Sequence, residues 1–426
     1  LENYLIGTNA IQRYEVNAYG KRINQLEHQK GKQGLRIRLT VDTEIQKACG
    51  KLLNDRAGSI SVMDIYTGDI IAMYSSPSYD PNKFLFGISN DDWALIRNNP
   101  LKPLINKTLS GLYSPGSTIK PIVALSALEN KIVSPNFKVK CTGKMELYGQ
   151  TFHCWKEKGH GFMSLKNAMK QSCDTYFYEV ARLLGVDRLN VTAEKFGLGK
   201  KVLGDYYDYE KSGLFPNTKW KKNNLGKGWV LGETLITGIG QGYTQTTPLQ
   251  LCLMTAQIAN GGYSIKPRIV VNNNPMSLEE AKSKLQEETL HGQEKKLFKD
   301  HKNIKIVQEA MFSSTNELYG TSYKSRIDNP KYQFACKTGT AQVKRISMRE
   351  RELDLKIEQI PYKDRDHALF VAYGPYVNPR YALSIIVEHG GSGSRTAAPI
   401  AKELFKLIID RDKLRNKQKN FEEIDI

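Results

Sequence analysis

The stretch "GLYSPGSTIKPIV", residues 111–123, decides how the rest of the chain is read. Pro115-Gly116 makes a turn, and Ser117 stands at or beside the start of an apolar helix predicted over 117–130. Pro121 falls in the first helical turn, where N–H groups lack intrahelical partners, so it need not break the helix. Lys120 then lies one turn on, on the same face as Ser117. A serine hydroxyl is a poor nucleophile without a base in reach, and a lysine serves as that base only when burial or neighbouring positive charge lowers its pKa. The partial positive charge of a helix start disfavours an ammonium and stabilises an oxyanion. Ser-x-x-Lys is expected about once by composition, and Ser117 is the one serine in the sequence followed by Lys at that spacing. Other groups must supply the rest.

Two further segments do. "SCD", Ser172-Cys173-Asp174, sits midway along a predicted helix over 164–184, followed by Tyr176, Phe177 and Tyr178. Polar Ser172 and Asp174 would be costly there unless they met partners; a surface or helix-bending serine is the plain alternative. "CKTGTAQ", 336–342, lies in a strand pattern. Alternation puts Thr338 and Thr340 on one face and Lys337 on the other, while Gly339 leaves the backbone approachable by a ligand. Such a strand could pair with an extended peptide and take its carboxylate with two threonine hydroxyls; an ordinary edge strand is the bland reading.

The flanks give the architecture. "RIRLTVDTEIQKACGKLLND" reads as a strand-like start and an amphipathic helix with Ile45, Cys49, Leu52 and Leu53 at helical spacing, capped at Thr-Val-Asp-Thr. "AGSISVMDIYTGDIIAMYSSPSYDPN" reads as two strands joined through Tyr66-Thr67-Gly68-Asp69. From Asp91 to Asn260 the pattern is mostly helical, and 272–302 reads as a charged surface insertion with some helix. Strands return at 332–343, 367–376 and 381–390, with a charged excursion between the first two, before a closing helix at 396–410. Strands from both ends of the chain can form one antiparallel sheet, with the helical block inserted between them.

Composition bounds the function. The 426 residues carry 62 Lys plus Arg against 44 Asp plus Glu, net +18, which favours an anionic contact such as nucleic acid, phospholipid head groups or an acidic polymer, or merely a soluble surface. The basic residues are dispersed with no aromatic-interleaved groove, so nucleic acid ranks low. No apolar run reaches the length of a membrane span. Leu1 is not a natural start, so the chain reads as an excerpt or processed form. Six cysteines are too few for a disulfide scaffold. Cys49 and Cys252 read as core; Cys141 and Cys154 flank a hairpin-like segment near His153 and His160. For that pair buried or free thiols rank first, a disulfide second and a metal site last, since the spacing matches no strong zinc signature.

Ser-x-x-Lys, Ser-x-Asn/Asp and Lys-Thr-Gly, in that order, resemble the motif set of penicillin-binding proteins and serine β-lactamases. "LTVDTEIQ", "MDIYTGDIIAMYSSPSYDPNKF", "NKTLSGLYSPGSTIK", "GIGQGYTQTTPLQ" and "AAPIAKELF" extend the likeness to the transpeptidase domain of class B penicillin-binding proteins over residues 37–410. Asp174, where many members have asparagine, and "HALFVAYGPY" are similar to the penicillin-binding protein 2 branch, which serves elongation of rod-shaped cells.

The resemblance implies an α+β fold, an antiparallel sheet flanked by helices plus an all-helical subdomain. Residues 1–36 are then the remnant of an N-terminal pedestal and 411–426 a charged tail. It implies a peptidoglycan D,D-transpeptidase that forms a serine acyl-enzyme and is trapped by β-lactams, with no cofactor and no metal. In those roles Ser117 attacks, Lys120 takes its proton, Ser172, Asp174 and Lys337 complete the catalytic set, and Thr338, Gly339 and Thr340 bind substrate. It further implies a periplasmic site on the inner membrane behind an upstream anchor. The implied partners are stem peptides, a lipid-linked glycan polymerase and a rod-shape scaffold protein. Rival readings are a D,D-carboxypeptidase or β-lactamase-like hydrolase, of which the length of the "GIGQGYTQTTPLQ" agreement and the extra N-terminal segment oppose a compact β-lactamase, and a non-catalytic sensor or scaffold, opposed by the intact Ser117, Lys120 and Lys337.

Overall fold

The computed structural model describes residues 5–204, 207–271, 296–344 and 357–419, together with 280, 282–283, 289–290 and 293–294. Most of the expected insertion at 272–302, much of the excursion between the returning strands, and the end of the expected tail lie outside them.

The N-terminal residues expected as a pedestal remnant form an exposed antiparallel hairpin, β1 (Ile11–Val16) with β2 (Arg22–Gln29). Helix α1 (Thr43–Leu53) starts where the capping pattern places it: Asp42 accepts from the N–H groups of Glu44 and Ile45, and Ile45, Cys49 and Leu53 are fully buried. The hairpin β3 (Gly58–Asp64) and β4 (Ile70–Ser76) follows.

After two short helices, Asn90–Arg97 and Lys107–Ser110, come α2 (Lys120–Glu129), four short strands β5 (Val139–Cys141), β6 (Lys144–Leu147), β7 (Gln150–His153) and β8 (Gly161–Met163), then α3 (Leu165–Lys170), α4 (Asp174–Leu184) and α5 (Val186–Lys195). Helices α6 (Leu231–Gly238), α7 (Pro248–Ala259) and α8 (His301–Asn316) lead to β9 (Ala335–Ala341), β10 (His367–Gly374), β11 (Tyr381–Val387) and α9 (Ala398–Lys419).

Five strands make one antiparallel sheet in the order β9, β10, β11, β3, β4, so strands from both ends of the chain join around the inserted helices as the sequence predicts. Strands β10 and β11 are buried almost throughout because both faces are covered. Ala382 and Ile386 enter the core shared with α2, α4, α7 and α8, and Leu383 and Ile385 the core under α1 and α9. Phe334 stacks on Phe405 at 5.0 Å in the second core. Cys49 and Cys252 are fully buried, as expected.

Three boundaries differ from expectation. The helix predicted over 117–130 opens with a 3₁₀ turn, Gly116–Ile119, before α2. The single helix predicted over 164–184 is two, broken at Gln171–Cys173, with Ser172 in the left-handed region at φ 55°. Periodicity cannot see such a break, because α3 and α4 keep compatible apolar faces on either side. The closing helix begins at Ala398 and runs to Lys419, well into the expected tail, since Lys and Arg are good helix formers.

Candidate active site

Three segments distant in sequence meet at the edge strand β9. Lys120, on the first residue of α2, is 0% exposed; its Nζ donates to the Ser172 carbonyl at 3.0 Å and to Ser172 Oγ at 3.2 Å, and pairs with Asp174 Oδ1 at 2.7 Å. Lys337 Nζ, also 0% exposed, donates to the same Ser172 Oγ at 2.8 Å and to the Thr338 carbonyl at 3.0 Å. The break between α3 and α4 is what makes this possible: left-handed Ser172 presents both its carbonyl and its hydroxyl to the lysines, which a mid-helix residue could not. Burial foremost, then the nearby Lys120 charge, lowers the Lys337 pKa to about 7, against the opposing pull of Asp174 and of the neighbouring Cys336.

Ser117 sits in the 3₁₀ turn, and its carbonyl accepts the Lys120 N–H. The turn is clamped by close backbone approaches. The Gly116 N–H donates to the Gly240 carbonyl at 2.9 Å. Gly116, at φ 53°, leaves no space for a side chain, since a Cβ would lie 2.5 Å from the Thr340 carbonyl oxygen. The turn before Ser117 is therefore pressed against the backbone of Thr340. Gly116→Ala would set a Cβ in the left-handed region, costing about 1–2 kcal/mol, besides displacing strand or turn. A lower melting temperature and acylation slowed by at least about tenfold are expected, read by calorimetry and by penicillin labelling.

The remaining strand residues are placed less uniformly. Thr338 is buried and donates from Oγ1 to Thr321 Oγ1 at 3.0 Å, whereas Thr340 is exposed. The room expected beside Gly339 for a ligand is taken up by the protein: a Cβ there would meet the Thr118 methyl at 2.8 Å and the Pro115 carbonyl at 3.1 Å.

Sequence reasoning missed four contributors. The Trp155 N–H donates to Asp174 Oδ2 at 3.0 Å, and its indole N–H to the carbonyls of Gln171 and Ser172, both at 3.1 Å, fixing the broken-helix loop from outside. Thr321 partners Thr338, Gly240 clamps the turn that carries Ser117, and Gln241 Nε2 donates to the Thr340 carbonyl at 3.1 Å. The glycine spacing of "GIGQG" signals a tight turn but not what the turn touches.

The cysteines also converge. Cys141, Cys154, Cys173 and His160 bring their ligand atoms within 4.8 Å of one another, and Cys141 and Cys154 are free thiols rather than a disulfide. His160 Nδ1 lies 3.5 Å from Cys141 Sγ and 3.6 Å from Cys154 Sγ. The hydrogen bond from Cys173 holds the Cys154 thiol well below the usual range, and the same contact, with burial, raises Cys173. Three sulfurs and one imidazole nitrogen form a donor set that suits tetrahedral Zn²⁺, whose ligand distances of about 2.3 Å place sulfurs roughly 3.8 Å apart. On sequence a metal ranks last because the Cys141–Cys154 spacing matches no strong zinc signature; Cys173 joins that pair only through the fold.

Among the described residues no helix is long and apolar enough to cross a membrane. The family model "Penicillin binding protein transpeptidase domain" matches residues 58–406. The chain is 35% identical over 412 residues to the peptidoglycan D,D-transpeptidase MrdA of Salmonella typhimurium, covering 96% of this chain and 64% of that protein. It is 34% identical to the Escherichia coli protein of that name, covering 96% and 62%. The chain thus spans just under two thirds of the length of these relatives. Among solved structures, Pseudomonas aeruginosa PBP2 in complex with WCK 5153 superposes with TM-score 0.76 at 37% identity, covering 89% of this chain and 79% of that one. The complex between PBP2 and MreC from Helicobacter pylori superposes with TM-score 0.78 at 31% identity, covering 97% and 70%.

Proposed function

The chain belongs to the transpeptidase family of penicillin-binding proteins and is of the PBP2 type, and we propose on that premise that it crosslinks peptidoglycan stem peptides through a serine acyl-enzyme. The observation that carries this reading is the single hydroxyl of Ser172 bridging Lys120 and Lys337 beside the nucleophile turn. Lys120 gives a proton to the Asp174 carboxylate, 2.7 Å away, and the amine so freed takes the proton of Ser117 Oγ as that oxygen attacks the carbonyl between two terminal D-alanines. The backbone N–H groups of Ser117 and Thr340 receive the developing oxyanion; the contact of Gly116 with Thr340 supports their closeness. The C–N bond then breaks. With both lysines donating to Ser172 Oγ, its own hydroxyl proton is the one left to give to the departing amine, and Lys337 replenishes it. The amine of a second stem peptide attacks the acyl-enzyme, its proton passing to Ser172 and on to Lys337, and Ser117 leaves with the proton held by Lys120 as the crosslink forms.

Thr338 and Thr340 would hold the terminal carboxylate, Thr340 as the exposed donor and Thr338 in exchange for its bond to Thr321. Cys141, Cys154, His160 and Cys173 would hold a Zn²⁺ ion, which would supply a structural crosslink and no acyl-transfer chemistry. The complex of PBP2 with MreC supports a scaffold protein of that kind as a partner, and on the same reading the domain serves elongation beside a lipid-linked glycan polymerase. On the same reading the domain works in the periplasm, tethered to the inner membrane upstream of this chain.

Incubating the protein with benzylpenicillin, then measuring intact mass and mapping the modified peptide, tests this reading. One adduct on the peptide bearing Ser117, slow to hydrolyse, is expected. Rapid turnover of the β-lactam would instead point to a hydrolase, and no adduct at all to a non-catalytic module.

A further inference from the structure

Among the described residues strand β9 ends the sheet and pairs with β10 alone, Thr340 lying opposite Ala368. In an extended strand alternate residues send N–H and C=O to the same side. The Thr338 carbonyl takes the Lys337 amine and the Thr340 carbonyl takes Gln241, so both face away from β10, along the open edge. That edge is where a peptide adds as a further strand, its amide N–H donating to a β9 carbonyl. At Thr340 a protein side chain already occupies the acceptor.

Gln241 is built to hold that position and to leave it. Its own N–H is fixed to the Ile236 carbonyl at 3.1 Å, and the flanking Gly240 and Gly242 have φ 74° and 73°, a turn that few other residues adopt. The backbone is thereby anchored. The side chain is half-exposed, and its bond to Thr340 stands at the solvent-facing edge, so a change of rotamer releases it without disturbing the turn that clamps Gly116.

We propose that Gln241 is a specificity-determining residue: its carboxamide occupies the Thr340 carbonyl and yields it to ligands that present an amide N–H of their own. The inference rests on the transpeptidase reading. A stem peptide or acylamido β-lactam exchanges one hydrogen bond for another at Thr340. A ligand without that N–H has nothing to offer in exchange and leaves Gln241 in place.

The test pairs two ligands sharing one nucleus, benzylpenicillin with its acylamide and penicillanic acid without it, against the native chain, Gln241→Ala and Gln241→Met. Methionine keeps the length of the side chain and removes the donor. Second-order acylation constants at Ser117 are measured by quenched intact mass, with melting temperatures confirming folding. Both variants are expected to accelerate benzylpenicillin by roughly two- to tenfold, the worth of one neutral hydrogen bond no longer displaced, and to leave penicillanic acid unchanged. Equal changes for the two ligands, or slower acylation by benzylpenicillin, would overturn the assignment of Gln241 while leaving the enzyme intact. No adduct from either ligand on the native chain would overturn the transpeptidase reading, and this inference with it.

Discussion

A Ser117→Ala chain is expected to take up no penicillin label, and Lys120→Ala to acylate at least about a hundredfold more slowly, the scale for removing a general base. Lys120 is fully buried, so nothing from solvent can stand in for it, and its amine is tied to Ser172 and Asp174 at 2.7–3.2 Å. The substitution also leaves the Asp174 carboxylate without its cation, a several-kcal/mol penalty that could unfold the chain and mimic loss of a base. The double variant Lys120→Ala, Asp174→Asn removes that orphaned charge and should fold while remaining slow. Near-native acylation in either folded variant would remove Lys120 from its role.

Asp174→Asn alone adds a pH readout. Asp174 raises the pKa of Lys337, which stands at about 7 with that carboxylate in place, so losing it moves the Lys337 inflection in the acylation profile to lower pH. A shift to higher pH would contradict the shared electrostatics. Linkage gives a separate sign. Between pH 7 and the usual lysine range the unfolded chain binds a proton that folded Lys337 does not, so this group makes stability rise with pH across that window.

How much of this the sequence disclosed depended on the range of the interactions. Helix α1 was legible because Asp42 caps its own neighbours and Ile45, Cys49 and Leu53 repeat on one face. The sheet was legible because its strands are long apolar runs bounded by turns. Ser117, Lys120, Ser172, Asp174 and Lys337 are singled out by residue type and order, and the fold brings the last four into one network. The left-handed Ser172 was not legible, since nothing local demands it: the two lysines that use its carbonyl and hydroxyl lie 52 and 165 positions away. The same distance hid Gln241, whose target is 99 positions on, and Thr321, whose hydroxyl matters only because Thr338 arrives beside it.

Purified under reducing conditions with zinc present, the chain is expected to retain one Zn²⁺ per molecule through gel filtration and to lose it in Cys154→Ser or Cys173→Ser, as read by native mass spectrometry and elemental analysis. Structural zinc sites bind with apparent free energies of about 10–16 kcal/mol in peptides; in a chain with a large core of its own only part of that appears as stability. Chelation is therefore expected to lower the melting temperature by several degrees without unfolding the protein. Zinc displaces thiol protons, so retention should weaken as pH falls toward 5. Cys173 lies between Ser172 and Asp174, and Cys154 precedes Trp155, whose N–H holds Asp174 Oδ2 at 3.0 Å. Releasing the ion loosens both supports of the broken-helix loop, so the chelated protein should acylate more slowly and recover when zinc is restored. Failure of the reduced chain to retain zinc would leave the four side chains as a buried thiol–imidazole cluster. Retention with acylation indifferent to chelation would confine the ion to stabilising the β5–β8 region.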